Sequence, residues 1–412
     1  MHSTDTYIFL LFIAICAGLV RSWLASRRAR YHIPLPPSPP SDPFIGHMRL
    51  LMNAPDISAE YSRWSKDLGS DIVSFTLLGQ TTIVLNSRNA AEDLLSKRSS
   101  IYSDRSHAGT TMATSDKLVG WENNTGVMRY GERWRNQRRM THELLHKRAS
   151  EDLWPILVRN SRLALQQLLD NPDGFESHLR RMAGSSIIKA VYGYNATASN
   201  DTLFEAVSHA VKGFSEAALA SNFYANIIPW MQHIPAWFPG AEWKRRALVW
   251  RWQTDQMLNV PYEWTMAKMA AGTAPPSMLQ RLLSKYEEEP SDDEKDVMRW
   301  ATGTLFAAGT DTTVASTLVL IMAVAMHPEV QVKGQAEVDN IINENRLPDM
   351  QDRKSMPYVQ AVVKEVFRWK SVLPLGVPHT CMEEDVYKGY RIPKGATVIA
   401  NQRQVFGLTL KN

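Results

Sequence analysis

From Phe44 onward, apolar side chains return every three or four positions through most of the chain, the spacing of helices that bury one face. That rhythm predicts helices over 132–148, 151–170, 203–222, 242–270, 292–326, 329–343 and 357–370. Two stretches break it. Ile72 to Phe75 and Thr82 to Leu85 flank Gly79 and read as a hairpin, and a second β region runs from Val386 to Asn401 with Pro393-Lys394-Gly395 as its turn. The fold class expected is mainly α with a minor β-sheet region. No repeat of solenoid period is present.

The N-terminus follows a different pattern. Residues Tyr7 to Val20 are unbroken by any charge. At about 1.5 Å per residue they reach roughly 21 Å, and continuation through Trp23, Leu24 and Ala25 brings the helix to about 28 Å, near the hydrocarbon thickness. A cleaved signal peptide is the alternative, but His2 and Asp5 stand where such a leader carries Lys or Arg. Arg21, Arg27, Arg28 and Arg30 follow directly, which by the positive-inside bias places the body on the cytosolic side. Six prolines then fall between Pro34 and Pro43, a run that suits an extended spacer. The expected organisation is an anchor with basic flank over 1–31, a Pro-rich hinge over 32–43, and a body over 44–412.

Composition narrows the picture. With 412 residues, 44% hydrophobic and 21% charged, the chain is rich enough in apolar residues for a large core. A net charge of +4 gives no reason to expect nucleic acid. Two cysteines, Cys16 and Cys381, exclude a disulfide framework or a zinc spacing. Three sequons, at Asn123, Asn195 and Asn200, are expected to stay unused if the body is cytosolic.

Chemistry concentrates in the helix expected over 292–326. Ser291-Asp-Asp-Glu294 is a capping-box pattern and His327-Pro328 ends the run. Its middle reads Ala307-Ala308-Gly309-Thr310-Asp311-Thr312-Thr313. Glycine and clustered threonines are poor helix formers, and a threonine hydroxyl can bond back to a carbonyl one turn earlier and open the helix. Gly309 would let a flat ligand approach the backbone, and an acid beside an alcohol could pass it protons. The alternative is a tolerated polar patch on a buried helix. Glu365 and Arg368 share one helix face and can pair, as exposed pairs commonly do. Trp134 and Arg138, four apart, could offer an indole donor and a guanidinium to paired carboxylates, or form an ordinary basic face.

In this order, a Pro-rich hinge behind an anchor, Trp134-x-x-x-Arg138, Ala308-Gly309-x-Asp311-Thr312-Thr313, Glu365-x-x-Arg368 and Pro378-His379 resemble the cytochrome P-450 monooxygenases over nearly the whole chain. The stretches from Ile234 to Gly240 and from Tyr390 to Asn401 look more narrowly like fungal microsomal members of secondary metabolism. The resemblance implies a haem cofactor with Trp134, Arg138 and His379 at its propionates. Asp311 and Thr312 would be the acid–alcohol pair that delivers protons, beside Ala308 and Gly309, and Glu365 and Arg368 a structural pair on the proximal side. It also implies that 103–129, 217–243, 304–308 and 372–377 line a pocket for a lipophilic small molecule. Electrons would come from an NADPH-dependent reductase, and the expected location is the endoplasmic reticulum membrane, single-pass. Trp230, Trp237, Phe238 and Trp243 could dip into the membrane interface or pack in the core. Arg129, Arg133, Arg135, Arg139, Lys147 and Arg148 could steer an acidic reductase or form a solvated face.

One element of the family pattern is missing from the written sequence. A Cys thiolate in a Phe-x-x-Gly-x-Arg-x-Cys loop holds the family's haem iron, and the sequence runs from Asn401 to Asn412 without one. The expectation is therefore a fold incomplete at the C-terminus, with no axial metal ligand among these residues, apolar helix faces left open, and Cys381 a free thiol. Two further readings stay open: a haem-free inactive product, and an anchored protein that binds a lipophile without oxidising it.

Overall fold

A computed structural model describes residues 33–106, 109–196, 201–219, 222–343 and 346–405. The expected anchor lies outside them. In chain order the main elements are α1 (Ile57–Asp67), β1 (Ile72–Leu77), β2 (Gln80–Leu85), β3 (Asp104–Arg105), α2 (Thr111–Thr114), α3 (Glu132–Leu145), α4 (Trp154–Asp170) and α5 (Phe175–Tyr192). There follow α6 (Thr202–Ala218), α7 (Tyr224–Ile227), α8 (Glu242–Ala270), α9 (Met278–Leu283), α10 (Asp292–Met326), α11 (Pro328–Ile342) and α12 (Pro357–Trp369). The chain ends its regular structure with β4 (His379–Thr380), β5 (Asp385–Tyr387), β6 (Tyr390–Ile392) and β7 (Thr397–Ala400). The body is mainly α with a small β region, as the hydrophobic spacing requires.

Local chemistry explains the boundaries. The capping box at Ser291 is formed, with Glu294 N donating to the serine Oγ and Ser291 N donating to the Glu294 carboxylate at 2.9 Å. The helix expected over 132–148 breaks instead at His146, whose extended backbone ends α3; its Nδ1 accepts from Ala149 N and caps the next turn. Helix α5 had no counterpart in the apolar rhythm. It is built around Gly184, where an added Cβ would come within 2.0 Å of the Phe204 ring on α6.

Around α10 the helices α3, α5, α8, α9 and α6 form a bundle whose core holds Met298, Trp300, Phe306 and Ala307 with Met257, Leu258, Ile188, Tyr192, Met112 and Leu118. Beside it lies a five-stranded sheet of order β1-β2-β7-β4-β3, with β2 and β7 parallel and the other pairs antiparallel. Asn401, fully buried at the end of β7, accepts from Ser58 Oγ at 2.7 Å and donates to Ser62 Oγ and Asn86 Oδ1, bolting the sheet to α1.

The Pro-rich segment is not a free spacer. Ser74 N donates to Pro37 O, Ser74 Oγ to Pro36 O, and Arg391 N to Pro34 O, so the prolines lie docked along the sheet. Prolines lack an N–H, so one side of this segment can only accept, and the body supplies the donors.

Candidate functional site

Short strands β3 and β4 set up the first part of the site by pairing Arg105 with His379. Arg105 Nη1 donates to Val377 O at 2.5 Å, and burial lowers its pKa to about 10. His379 Nδ1 lies 2.6 Å from Tyr102 O. A carbonyl only accepts, so this nitrogen carries the proton, and Nε2 of the neutral ring is left as an acceptor. Burial first, then the neighbouring Arg105 charge, pull the His379 pKa down to about 4. The neighbouring Asp104 carboxylate offsets part of the cost of burying the Arg105 guanidinium, and a further anionic group brought there would offset more.

The N-terminus of α3 joins this locus through Asp104. Its Oδ1 accepts from Tyr130 N at 2.7 Å and its Oδ2 from Arg129 at 3.3 Å. Tyr130 packs against Trp134 at a tilt of 52°, with ring centroids 5.2 Å apart, and Arg138 lies over the indole at 5.6 Å. Trp134 is half-buried and Arg138 exposed. A chain of contacts thus runs from His379 and Arg105 through Asp104 to Tyr130, and on to Trp134 and Arg138; among the described residues no hydrogen bond or ring contact joins Trp134 or Arg138 to His379 directly. Arg105 is a residue the sequence reading placed only within a pocket-lining stretch. Its signal lies in strand pairing to His379, which sequence spacing does not display.

The middle of α10 forms the second part. Asp311 is ion-paired with Arg180 of α5. Thr312 Oγ1 donates to Ala308 O, and Thr313 Oγ1 to Gly309 O, each at 2.7 Å. The back-bonding expected from the threonines is present, yet α10 remains one continuous helix from Asp292 to Met326 rather than opening. At Gly309 an added Cβ would meet Ile187 at 3.0 Å, so the close approach this glycine permits is that of α5. Ala308, Thr312 and Thr313 are exposed. Among the described residues no hydrogen bond or ion pair links Asp311 or Thr312 to Trp134, Arg138 or His379.

Other candidates fall elsewhere. Glu365 and Arg368 pair on the exposed face of α12, with Arg368 Nε 2.7 Å from Glu365 Oε2; the guanidinium holds that carboxyl below its usual range. Of the aromatic cluster, Trp230, Trp237 and Phe238 are exposed, whereas Trp243 packs against the bundle core. Within the basic stretch, Arg129 and Arg133 are engaged by Asp104, Asp293 and Asp296, leaving Arg135, Arg139, Lys147 and Arg148 exposed.

Whether these residues suit a haem divides cleanly. The Arg105 and Arg138 guanidiniums and the Trp134 indole N–H are donors of the kind that carboxylates require, whereas the free Nε2 of neutral His379 is an acceptor. A thiolate is not offered: Cys381 is buried among Ile72, Tyr102 and Ile392, its Sγ donates to Glu383 O at 2.8 Å, and burial pushes its pKa up. Cys16 lies outside the described residues.

A family model described as Cytochrome P450 matches residues 36–405. The chain is 36% identical over 398 residues to cytochrome P450 monooxygenase 208 of Postia placenta, covering 96% of this chain and 75% of that one. It is 36% identical over 391 residues to cytochrome P450 monooxygenase COX2 of Coprinopsis cinerea, covering 94% and 73%. With the tryptamine 4-monooxygenase of Psilocybe cyanescens it shares 34% identity over 399 residues, covering 96% and 77%. The chain belongs to the cytochrome P450 family of monooxygenases.

Proposed function

We propose that the protein inserts one oxygen atom from dioxygen into a lipophilic secondary metabolite, on haem, with NADPH-derived electrons delivered by a reductase at the membrane of the endoplasmic reticulum. The observation that supports it best is the step Asp311-Thr312 on the central helix of a chain matched to the family over residues 36–405. Haem, when bound, supplies the oxygen activation. Trp134 and Arg138 would hold its carboxylates by an indole N–H and a guanidinium, with Arg105 adding a second guanidinium; His379, neutral with Nε2 as an acceptor, would join them only on taking a proton there. Thr312 holds its hydroxyl proton toward Ala308 O, and the hydroxyl can turn to donate elsewhere while accepting from a neighbour. Asp311, half-exposed and tethered to Arg180, can take a proton from solvent and hand it inward when that tether swings. The exposed Trp230, Trp237 and Phe238 give the body an apolar contact with lipid, and Arg135, Arg139, Lys147 and Arg148 a basic face for an acidic reductase.

The test is a carbon monoxide difference spectrum of the reduced protein, followed by Thr312→Ala. A thiolate-haem band, with product formed per NADPH consumed falling about tenfold or more in the variant, is expected. Unchanged coupling would sink the proton-delivery role. A second reading is favoured by one observation, the burial of the Cys381 thiol, whose Sγ donates to Glu383 O at 2.8 Å: the protein holds a lipophile without oxidising it. No haem band together with saturable lipophile binding selects that reading.

A further inference from the structure

Helix α8 packs one side into the bundle and leaves the opposite side without a partner. Ala247, Met257, Leu258 and Tyr262 lie in the bundle core. On the outer side Leu248, Val249 and Trp252 are 43%, 55% and 61% exposed. A surface helix carries polar side chains at such positions, and a contiguous apolar patch there marks a contact surface. Arg245 and Asp255, both exposed, bracket the patch. At about 100° per residue, positions 245, 248, 249, 252 and 255 fall within an arc of roughly 120°, so the apolar centre and its charged ends form one stripe.

Among the described residues neither charged end has an ion-pair partner. Arg245 donates to Ala236 O at 2.9 Å. Asp255 has only the Arg251 charge one turn before it, and that guanidinium donates to Asp116 O. The adjacent Arg246, by contrast, is paired with Glu216. A stripe in this order is complementary to itself. A second α8 laid antiparallel, with the two-fold axis level with Trp250, brings Arg245 to Asp255 of the other copy at both ends. Leu248 then meets Trp252, and Val249 meets its own counterpart. A parallel copy would set Arg245 on Arg245 and Asp255 on Asp255. An anionic lipid surface would attract Arg245 but repel Asp255. We propose that the outer face of α8 is the contact of a two-fold homodimer, sealed by Leu248, Val249 and Trp252 and held in register by two Arg245–Asp255 pairs. The pairs lie about 15 Å apart along the helix, which fixes orientation as well as contact. The pairing depends neither on haem nor on the reaction.

The test is sedimentation velocity of the full chain in detergent micelles, wild type against three charge variants. The wild type should be a dimer. Arg245→Glu and Asp255→Arg each set like charges together at both ends, and each should raise the dimer dissociation constant about tenfold or more. The double variant Arg245→Glu/Asp255→Arg restores opposite charges and should restore the wild-type value. Association through any other surface, the N-terminal segment included, does not respond to this exchange. A monomeric wild type, a dimer indifferent to the single reversals, or a double variant that stays dissociated each overturns the inference. Should a charge variant fail to fold, Trp252→Asp must give the monomer by itself, and a dimer that survives it overturns the pairing. Monomers in nanodiscs, with tryptophan quenching by brominated lipid that falls in Trp252→Phe, give the stripe to the membrane and overturn it too.

Discussion

The two halves of α10 are equally helical and differ in almost everything else. From Val297 to Thr310 the helix is packed on several sides, and Met298, Ala301, Thr302 and Phe306 are fully buried. From Ala315 to Met326 it is built of Ser, Thr, Leu, Val, Ile, Met and Ala, yet Ile321, Met322 and Met326 are exposed, beside exposed Val332 on α11 and Phe367 on α12. By length and mean hydropathy this helix could cross a membrane; its first half is instead the core of the bundle. Apolar composition alone thus does not tell which stretch of a helix is core and which is open. The acid–alcohol step lies at the border, where a rigid backbone meets accessible side chains.

The sharpest break in this comparison comes from paired truncations. Phe306→Ala should lower unfolding free energy by about 3–5 kcal/mol, whereas Ile321→Ala should lower it by less than ~1 kcal/mol, read by urea denaturation. Near-equal losses would mean that the second half is buried in solution. Charge should follow the same contrast. His379 is held neutral in the fold, with a pKa of about 4 against 6.5 unfolded, so the unfolded chain takes up the proton first as pH falls. Its contribution is whole above pH 6.5 and lost progressively toward pH 4, at most about 3 kcal/mol, and His379→Gln should flatten that part of the stability–pH curve. At the border, Arg180→Ala removes the partly exposed tether of Asp311 and should lower stability by no more than ~1 kcal/mol, measured by thermal denaturation at low and high salt. On the open side, Glu365→Gln breaks an exposed pair and should cost about 0.5 kcal/mol or less in the same assay.

How much the sequence shows follows the same division. α10, with its capping box, and the β1–β2 hairpin are read from local signals, because caps, turns and periodicity act over a few residues. Helix α5 is hidden because Ala183, Gly184, Ser185 and Ser186 break the apolar rhythm, although the missing side chain at Gly184 is what allows Phe204 to approach. The motif residues of the site are visible by type, but what each one touches is not. Gly309 faces Ile187, and Asp311 is paired with Arg180, 131 residues earlier in the chain. Arg105 takes its meaning from a backbone group 272 residues away, beyond the reach of any spacing rule.

The knot at Asn401 bears on the order in which the molecule is made. Strand β2 pairs with β7 in parallel, and Asn86 meets Asn401 across 315 residues. A nascent chain adding roughly 5–20 residues per second therefore keeps one edge of the hairpin unpaired for about 15–60 s before its neighbour leaves the ribosome. During that interval Thr82 to Leu85 present an apolar strand with open N–H and C=O groups, the kind of edge that other strands capture. The helical bundle can condense in the meantime, because its contacts join nearer neighbours, but the sheet closes only once β7 has been made.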